Sequence, residues 1–115
     1  MASEAELIRG AVGRLQAQAP TLAGLKLVFG VELTGGGLTG PARSQRFRVE
    51  LPGPEVGEGA GDDERLTVSI PRPMFALLAE EGELVDWREA YHYGHLRVSG
   101  DPRVIRLLGR AIGGA

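Results

Sequence analysis

Two histidines, four clustered carboxylates, a group of arginines and a triple glycine are the residues of this chain that could do chemistry. His92 and His95, the only histidines, lie in His92-Tyr93-Gly94-His95. On a continuous helix that spacing sets two imidazoles over one metal ion, but Gly94 stands between them where a helix should end. A third ligand would have to come from Glu89, Asp86 or a distant carboxylate, and nothing nominates one; the pair reads as surface histidines. Glu80, Glu81, Glu83 and Asp86 would work as acid and base only if two of them faced one pocket with their pKa values pushed apart. Flanking Gly82, they read instead as a solvated helix end and turn. Ser3, Ser44, Ser69 and Ser99 have no Gly-x-Ser-x-Gly setting, and Gly35-Gly36-Gly37 lacks the lysine and hydroxyl of a phosphate loop. Arg43, Arg46, Arg48 and Arg65 would form a basic patch for an anionic headgroup if their strands pair. With Glu32 and Glu50 on the same strands, they read as neutralised outward positions of a half-exposed sheet. The expectation is a protein that is not an enzyme and uses no metal and no cofactor.

Hydrophobic period gives the elements that hold these residues. Ser3 with Glu6 is a capping-box signature, and Leu7, Ile8, Ala11, Val12 and Leu15 recur at helical spacing, predicting an amphipathic helix that ends near Pro20. From Leu25 the period becomes two, through Leu27, Phe29, Val31 and Leu33, and it resumes over Arg46–Leu51 with Phe47, Val49 and Leu51. The two runs predict an antiparallel hairpin. Residues 52–64 hold prolines, glycines and carboxylates with one aliphatic of any size, Val56, and read as a mobile acidic loop.

Arg65–Ile70 is a third strand with Leu66, Val68 and Ile70 inward. Pro71-Arg72-Pro73 stops it and starts a short apolar helix bearing Met74, Phe75, Leu77 and Leu78. Asp86 with Glu89 offers a second capping box, for a helix carrying Trp87, Ala90 and Tyr91 that ends at Gly94. Leu96 and Val98 then point inward from a closing strand, Asp101 can cap, and Pro102 opens a helix through Val104, Ile105, Leu107, Leu108, Ala111 and Ile112. The order α-β-β-β-α-α-β-α predicts an α+β fold, a mainly antiparallel sheet covered on one face by helices. A fifth strand is to be sought in Thr39 to Ser44 or around Leu84-Val85.

Composition bounds the function classes. A chain of 115 residues that is 43% hydrophobic predicts one domain over 1–115 with a single core. A net charge of -2 offers no general basicity for nucleic acid, and the absence of cysteine excludes disulfides and thiolate chemistry. The acidic N-terminus is unlike a secretory signal and no run could span a bilayer, so a cytoplasmic location is expected. Lys26 is the only lysine, a preference for arginine that reads as codon usage. What remains unusual is apolar material. Met74, Phe75, Leu78, Trp87, Tyr91, Leu107 and Leu108 come from three helices and would face Leu27, Phe29, Phe47, Val49, Val68, Ile70, Leu96 and Val98 on the sheet. Such residues build a plain core or an apolar pocket, and composition alone favours the core.

Three segments shift that balance: Leu66-Thr-Val-Ser-Ile70 leading into Met74-Phe75-Ala-Leu-Leu78, the helix that runs to Gly94, and Leu96-Arg-Val-Ser-Gly-Asp101 before the final helix. In these, and in the order of its elements, the chain resembles the sterol carrier protein type 2 family over nearly its whole length. The resemblance implies a five-stranded sheet under a layer of helices, enclosing a hydrophobic tunnel for fatty acids, acyl thioesters or sterols, with no catalytic residues. It also implies that the helix after the third strand and the C-terminal helix wall the tunnel, through Phe75, Leu78, Leu107 and Leu108. The final Gly113-Gly114-Ala115 differs from the Ser-Lys-Leu address of eukaryotic relatives, which points to a bacterial-type domain whose ligand is another lipid than sterol. The expected partner is thus an apolar small molecule or lipid bound by the fifteen residues just named for helices and sheet. No nucleic acid and no membrane segment are expected, and a homodimer is admitted. The alternative is a non-catalytic interaction or oligomerisation module on the same scaffold, its tunnel plugged by Trp87 and Phe75.

Overall fold

The computed structural model describes residues 3–35, 44–59 and 61–113. Five strands, β1 (Leu27–Thr34), β2 (Gln45–Leu51), β3 (Glu55–Glu58), β4 (Leu66–Pro71) and β5 (Arg97–Gly100), form one sheet in the order β3-β2-β1-β4-β5. The helices are α1 (Glu4–Gln18), α2 (Pro20–Ala23), α3 (Arg72–Glu81), α4 (Leu84–His92) and α5 (Pro102–Gly113). The period-two runs give the sheet one apolar face. Leu27, Phe29, Val31 and Leu33 on β1 and Phe47, Val49 and Leu51 on β2 are all buried, with Phe29 opposite Val49 and Val31 opposite Phe47. A row Val98, Val68, Val31, Phe47 continues across four strands. Cross-strand β-branched and aromatic pairs of this kind are the unit of sheet stability.

Two expectations about the sheet need correction. The sheet is mixed: β1 pairs antiparallel with β2 but parallel with β4, in the register Val31 to Val68 and Leu33 to Ile70. Local periodicity cannot reveal this, because strand direction is set by the path of the intervening chain. The fifth strand is Glu55–Glu58, inside the stretch read as loop, where Val56 faces Val49 of β2. Its own composition would not make a strand; the free edge of β2 does. Leu84-Val85, one of the two places proposed for that strand, opens α4, and positions 39–43 of the other lie outside the described residues.

From β3 the chain must cross the sheet to reach β4 on the far side of β1. It does so over the polar face. Glu64 accepts a hydrogen bond from Arg46 Nη2 at 3.1 Å and from the Gly61 N–H at 2.9 Å, and the Arg65 N–H bonds to the Val28 carbonyl at 2.8 Å. Asp63 pairs with Arg48, which also holds Glu50 at 3.1 Å. The crossing passes where Gly30 has no side chain; a Cβ there would come within 2.5 Å of the Glu64 carboxylate. The arginines of the polar face are therefore neutralised, as expected, but chiefly by this crossing segment; Glu32 instead accepts from Ser69 at 3.3 Å. Arg43 lies outside the described residues.

Helix ends explain how the cover is attached. Ser3 Oγ accepts from the Glu6 N–H at 3.2 Å, capping α1. The guanidinium of Arg14, on the polar side of α1, donates to the carbonyls of Ala79 (2.9 Å) and Gly82 (3.1 Å), satisfying the orphan acceptors at the C-terminus of α3. Arg72 at the start of α3 reaches Glu4 of α1 at 3.0 Å, Gln45 of β2 at 3.0 Å and the Gly35 carbonyl at 2.7 Å. The second capping box differs from the expected one. Asp86 closes it from the N3 position, accepting the Glu83 N–H at 2.8 Å, so α4 begins at Leu84.

Gly94 ends α4 as expected, and its φ of +77° shows why: the His95 N–H returns to the Ala90 carbonyl at 2.8 Å and the Gly94 N–H to that of Tyr91 at 3.2 Å. This is a Schellman closure, which needs a left-handed residue at that point. Asp101 then caps α5 as expected, accepting the Arg103 N–H at 2.9 Å and Arg65 Nη2 at 2.8 Å.

Two outcomes follow from this framework. Gly100 has φ +131°, and a Cβ would meet the Leu66 Cα at 2.6 Å and the Arg65 carbonyl oxygen at 2.7 Å. Both neighbours are backbone, so Gly100→Ala should cost about 2 kcal/mol or more in urea denaturation, where an unstrained site would gain. The Asp101 carboxyl is held below its usual range by the Arg65 hydrogen bond first and the Arg103 N–H second; that of Asp63 is lowered by Arg48. A depressed carboxylate stabilises the fold fully above the unfolded pKa of about 3.9 and loses that contribution as pH falls through the lower, folded value. Wild type should therefore lose more stability than Arg65→Gln between pH ~5 and ~3, the difference vanishing in strong acid.

Candidate functional site

The sheet's apolar face is wider than the side chains above it can fill. Between them lies a cavity of about 210 Å³. Its floor is Phe29 and Val31 of β1, Leu51 of β2, Val68 and Ile70 of β4, and Leu96 and Val98 at β5. One wall is α1, through Ile8, Ala11, Val12 and Leu15, with Leu22 of α2 beside it; the other is Phe75, Trp87, Tyr91, Ile105 and Leu108 from α3, α4 and α5. Phe75 and Trp87 meet edge to face, ring centres 6.3 Å apart at 65°.

Chemically the cavity is nearly featureless. No polar or charged residue belongs to the buried core among the described residues, so no desolvated acid, base or nucleophile faces it. Arg88 is the one charged residue in the described lining. The lining residues that are exposed, Arg88, Tyr91 and Gly109, all belong to α4 and α5, so the cavity reaches the surface between those helices. Such an arrangement can hold an apolar body by burial and a polar end at the mouth.

The fifteen expected ligand-binding residues divide by place. Phe29, Val68, Ile70, Phe75, Trp87, Tyr91, Leu96, Val98 and Leu108 line the cavity. Leu27, Phe47 and Val49 lie on the same sheet face, packed into the core. Met74 and Leu78 line a second depression, of about 340 Å³, between α3 and α4, and Leu107 is 46% exposed on α5. That second depression is shallower and rimmed by Glu81, Asp86 and Glu89, and Leu77 and Tyr93 in it are exposed. Enclosure rather than volume makes the first cavity the candidate. Sequence reasoning missed the α1 and α2 wall, although the stripe Ile8, Ala11, Val12, Leu15 was legible. It also missed Arg88.

The histidines stand apart from all this. Both are exposed, His92 packing edge-on against Tyr93 at 5.3 Å and His95 tilted on it at 6.5 Å. Among the described residues no group of three or more His, Asp or Glu is arranged to hold a metal ion. No helix among them is long and apolar enough to cross a membrane.

In sequence, the chain matches no protein-family model and no curated protein. In structure it is similar to palmitated sterol carrier protein 2-like 2 from Aedes aegypti, with 21% identity, 97% of this chain and 95% of that one covered, and a TM-score of 0.59. Sterol carrier protein 2 from Aedes aegypti in complex with palmitate gives 18% identity, 97% and 96% coverage and a TM-score of 0.59. Domain 2 of the Helicoverpa armigera sterol carrier protein gives 13% identity, 95% and 89% coverage and the same score, 0.59. The chain has the sterol carrier protein 2 fold.

Within this fold the cavity is also a stability deficit, since apolar walls without partner atoms lose their dispersion contacts. Ala11 faces it from a helix. Ala11→Met keeps helix propensity and adds a flexible apolar chain toward the gap, so it should raise unfolding stability by about 1 kcal/mol. Urea denaturation checks this; an unchanged or lowered midpoint would mean that the space is not there.

Proposed function

We propose that this chain is a non-catalytic carrier that binds, and passes on, an apolar ligand such as a fatty acid, an acyl thioester or another lipid. The observation that carries the reading is the cavity: a pocket walled by apolar side chains from five helices and four strands, with Arg88 and Tyr91 at its exposed end. A fatty acid matches that polarity, its chain among Ile8, Phe29, Ile70 and Leu96 and its carboxylate at the mouth near Arg88. The likeness to palmitate-bound proteins of the same fold supports the choice of an acyl chain. At about 210 Å³ the cavity lies below the range of roughly 300–1,000 Å³ common for ligand sites. A long acyl chain therefore has to widen it, by outward displacement of α4 or α5, into the hydrophobic tunnel that the resemblance implies. The proposal extends to a single lipid-binding domain over residues 1–115 in a bacterial cytoplasm.

Trp87 is the only tryptophan and lines the cavity, so its emission reports occupancy directly. Titration with palmitate should give a saturable change in Trp87 fluorescence, and native mass spectrometry of protein purified from cells should find co-purified acyl lipid. Ala11→Met should weaken palmitate binding about tenfold, a loss of ~1.4 kcal/mol, by occupying the same space. No saturable response together with no co-purified lipid would overturn the carrier reading in favour of an interaction module with a filled interior.

A further inference from the structure

Among the described residues the exposed arginines without an ion pair include Arg9, Arg97 and three that cluster on one helix. Arg46, Arg48, Arg65 and Arg72 are each held by a carboxylate, and Arg14 by backbone carbonyls. Arg103, Arg106 and Arg110, all on α5, are exposed and form no ion pair among the described residues. At spacings of three and four they share an arc of about 60° on a helix of 3.6 residues per turn. The helix contains no acidic residue, in a chain whose net charge is -2. Leu107, 46% exposed, borders the arginine arc, while Ile105 and Leu108 turn the other way to line the cavity. One short helix thus carries an apolar face inward, a cationic face outward and an exposed leucine at their boundary.

Position gives this segregation a use. The cavity reaches the surface between α4 and α5, where Arg88, Tyr91 (52% exposed) and Gly109 are its exposed lining. We propose that the outer face of α5, with the adjoining Arg88 and Tyr91 of α4, docks on an anionic lipid bilayer, bringing the cavity mouth to the membrane so that an apolar ligand passes between them without crossing water. The proposal rests on the carrier reading for the ligand but not for the docking itself. A basic helix with apolar residues at its margin is the pattern that lies on bilayer surfaces. Each arginine near an anionic leaflet contributes about fivefold in binding, so three contribute about a hundredfold. An acidic protein partner would use the same arginines but would not require Leu107 at the margin.

Co-sedimentation of the full chain with vesicles tests this. Wild type should bind vesicles of phosphatidylcholine mixed with phosphatidylglycerol, bind pure phosphatidylcholine far less, and be released by high salt. The triple variant Arg103→Gln/Arg106→Gln/Arg110→Gln should lose about a hundredfold in partition, Leu107→Gln should also lose, and Arg9→Gln/Lys26→Gln, which removes exposed charge elsewhere, should change little. The triple variant should keep the wild-type Trp87 response to palmitate. Equal partition of triple variant and wild type, equal binding to both vesicle types, or full binding by Leu107→Gln would overturn the docking face. Loss of the palmitate response in wild type would instead sink the carrier reading, leaving vesicle binding to be judged separately.

Discussion

The crossing of residues 61–64 to β4, with the Glu64 carboxylate seated over Gly30 and held by Arg46, is the constraint on which the rest of the architecture depends. A strand beside β1 on the side away from β2 can be reached only by crossing β1, and the crossing takes the polar face because the apolar face is needed for the helices. A chain lying on a sheet must satisfy its own backbone and find room. Room for the Glu64 carboxylate comes from the missing side chain of Gly30, and fixation from Arg46, whose partner Glu64 has only 7% of its side chain exposed. With Arg65 hydrogen-bonded to Val28 near the start of β1, the chain enters at that end and β4 runs along β1 parallel to it. That direction delivers Pro71 and Arg72 to the end where Glu4, Gln45 and Gly35 wait, and α3 begins there. The Arg46–Glu64 pair thus sits at the crossing that sets the direction of a central strand.

This explains which parts of the fold were legible in the sequence. Elements whose identity depends on their own residues were readable: the alternation in Leu27–Leu33 and Phe47–Leu51, the Ser3 cap, the glycine stop at Gly94, and the step from Gly100 through Asp101 to Pro102. Features that depend on another segment were not. The parallel pairing of β1 with β4 leaves no trace in either strand. The strand at Glu55–Glu58 has the composition of a loop and exists because β2 offers it an unpaired edge, with Val56 against Val49. The start of α4 was misplaced for a milder reason. Asp86 is a strong cap type, but here it acts three residues inside the helix, reaching back to a glutamate.

The site divides along the same line. Alternation correctly assigned the inward faces of the sheet, yet an inward residue can meet a helix or a cavity, and only the placement of the helices decides. Phe47 and Val49 pack into the core while Phe29 and Val68 border the space, although all four belong to the same face. The α1 stripe is legible as the apolar face of an amphipathic helix; that it borders partly empty space depends on the sheet and the other helices at once. Leu107 illustrates the limit of apolar counting, since its angular position on α5 puts it beside the arginines, outside the core.

A cavity that side chains fail to fill has a cost that must be weighed against its use. At about 24 cal/mol per Å³, a volume of 210 Å³ forfeits at most about 5 kcal/mol, comparable with the whole stability of a small domain, roughly 5–15 kcal/mol. The chain carries that deficit while capping its helices with care: Ser3, Asp86, Gly94, Asp101 and Arg14 each satisfy a helix end. Arg72 binds α3 to α1 and to the β1–β2 end of the sheet, and Arg14 binds α1 to the C-terminus of α3. On the other side, α5 is tied at its first turn by the Asp101–Arg65 pair, and Val104, Ile105 and Leu108 pack against the core. Among the described residues, α3 is thus tied to the sheet by more side-chain hydrogen bonds than α5 beside the cavity mouth. Rigidity is concentrated where the sheet must be closed, and compliance where an apolar chain would have to pass.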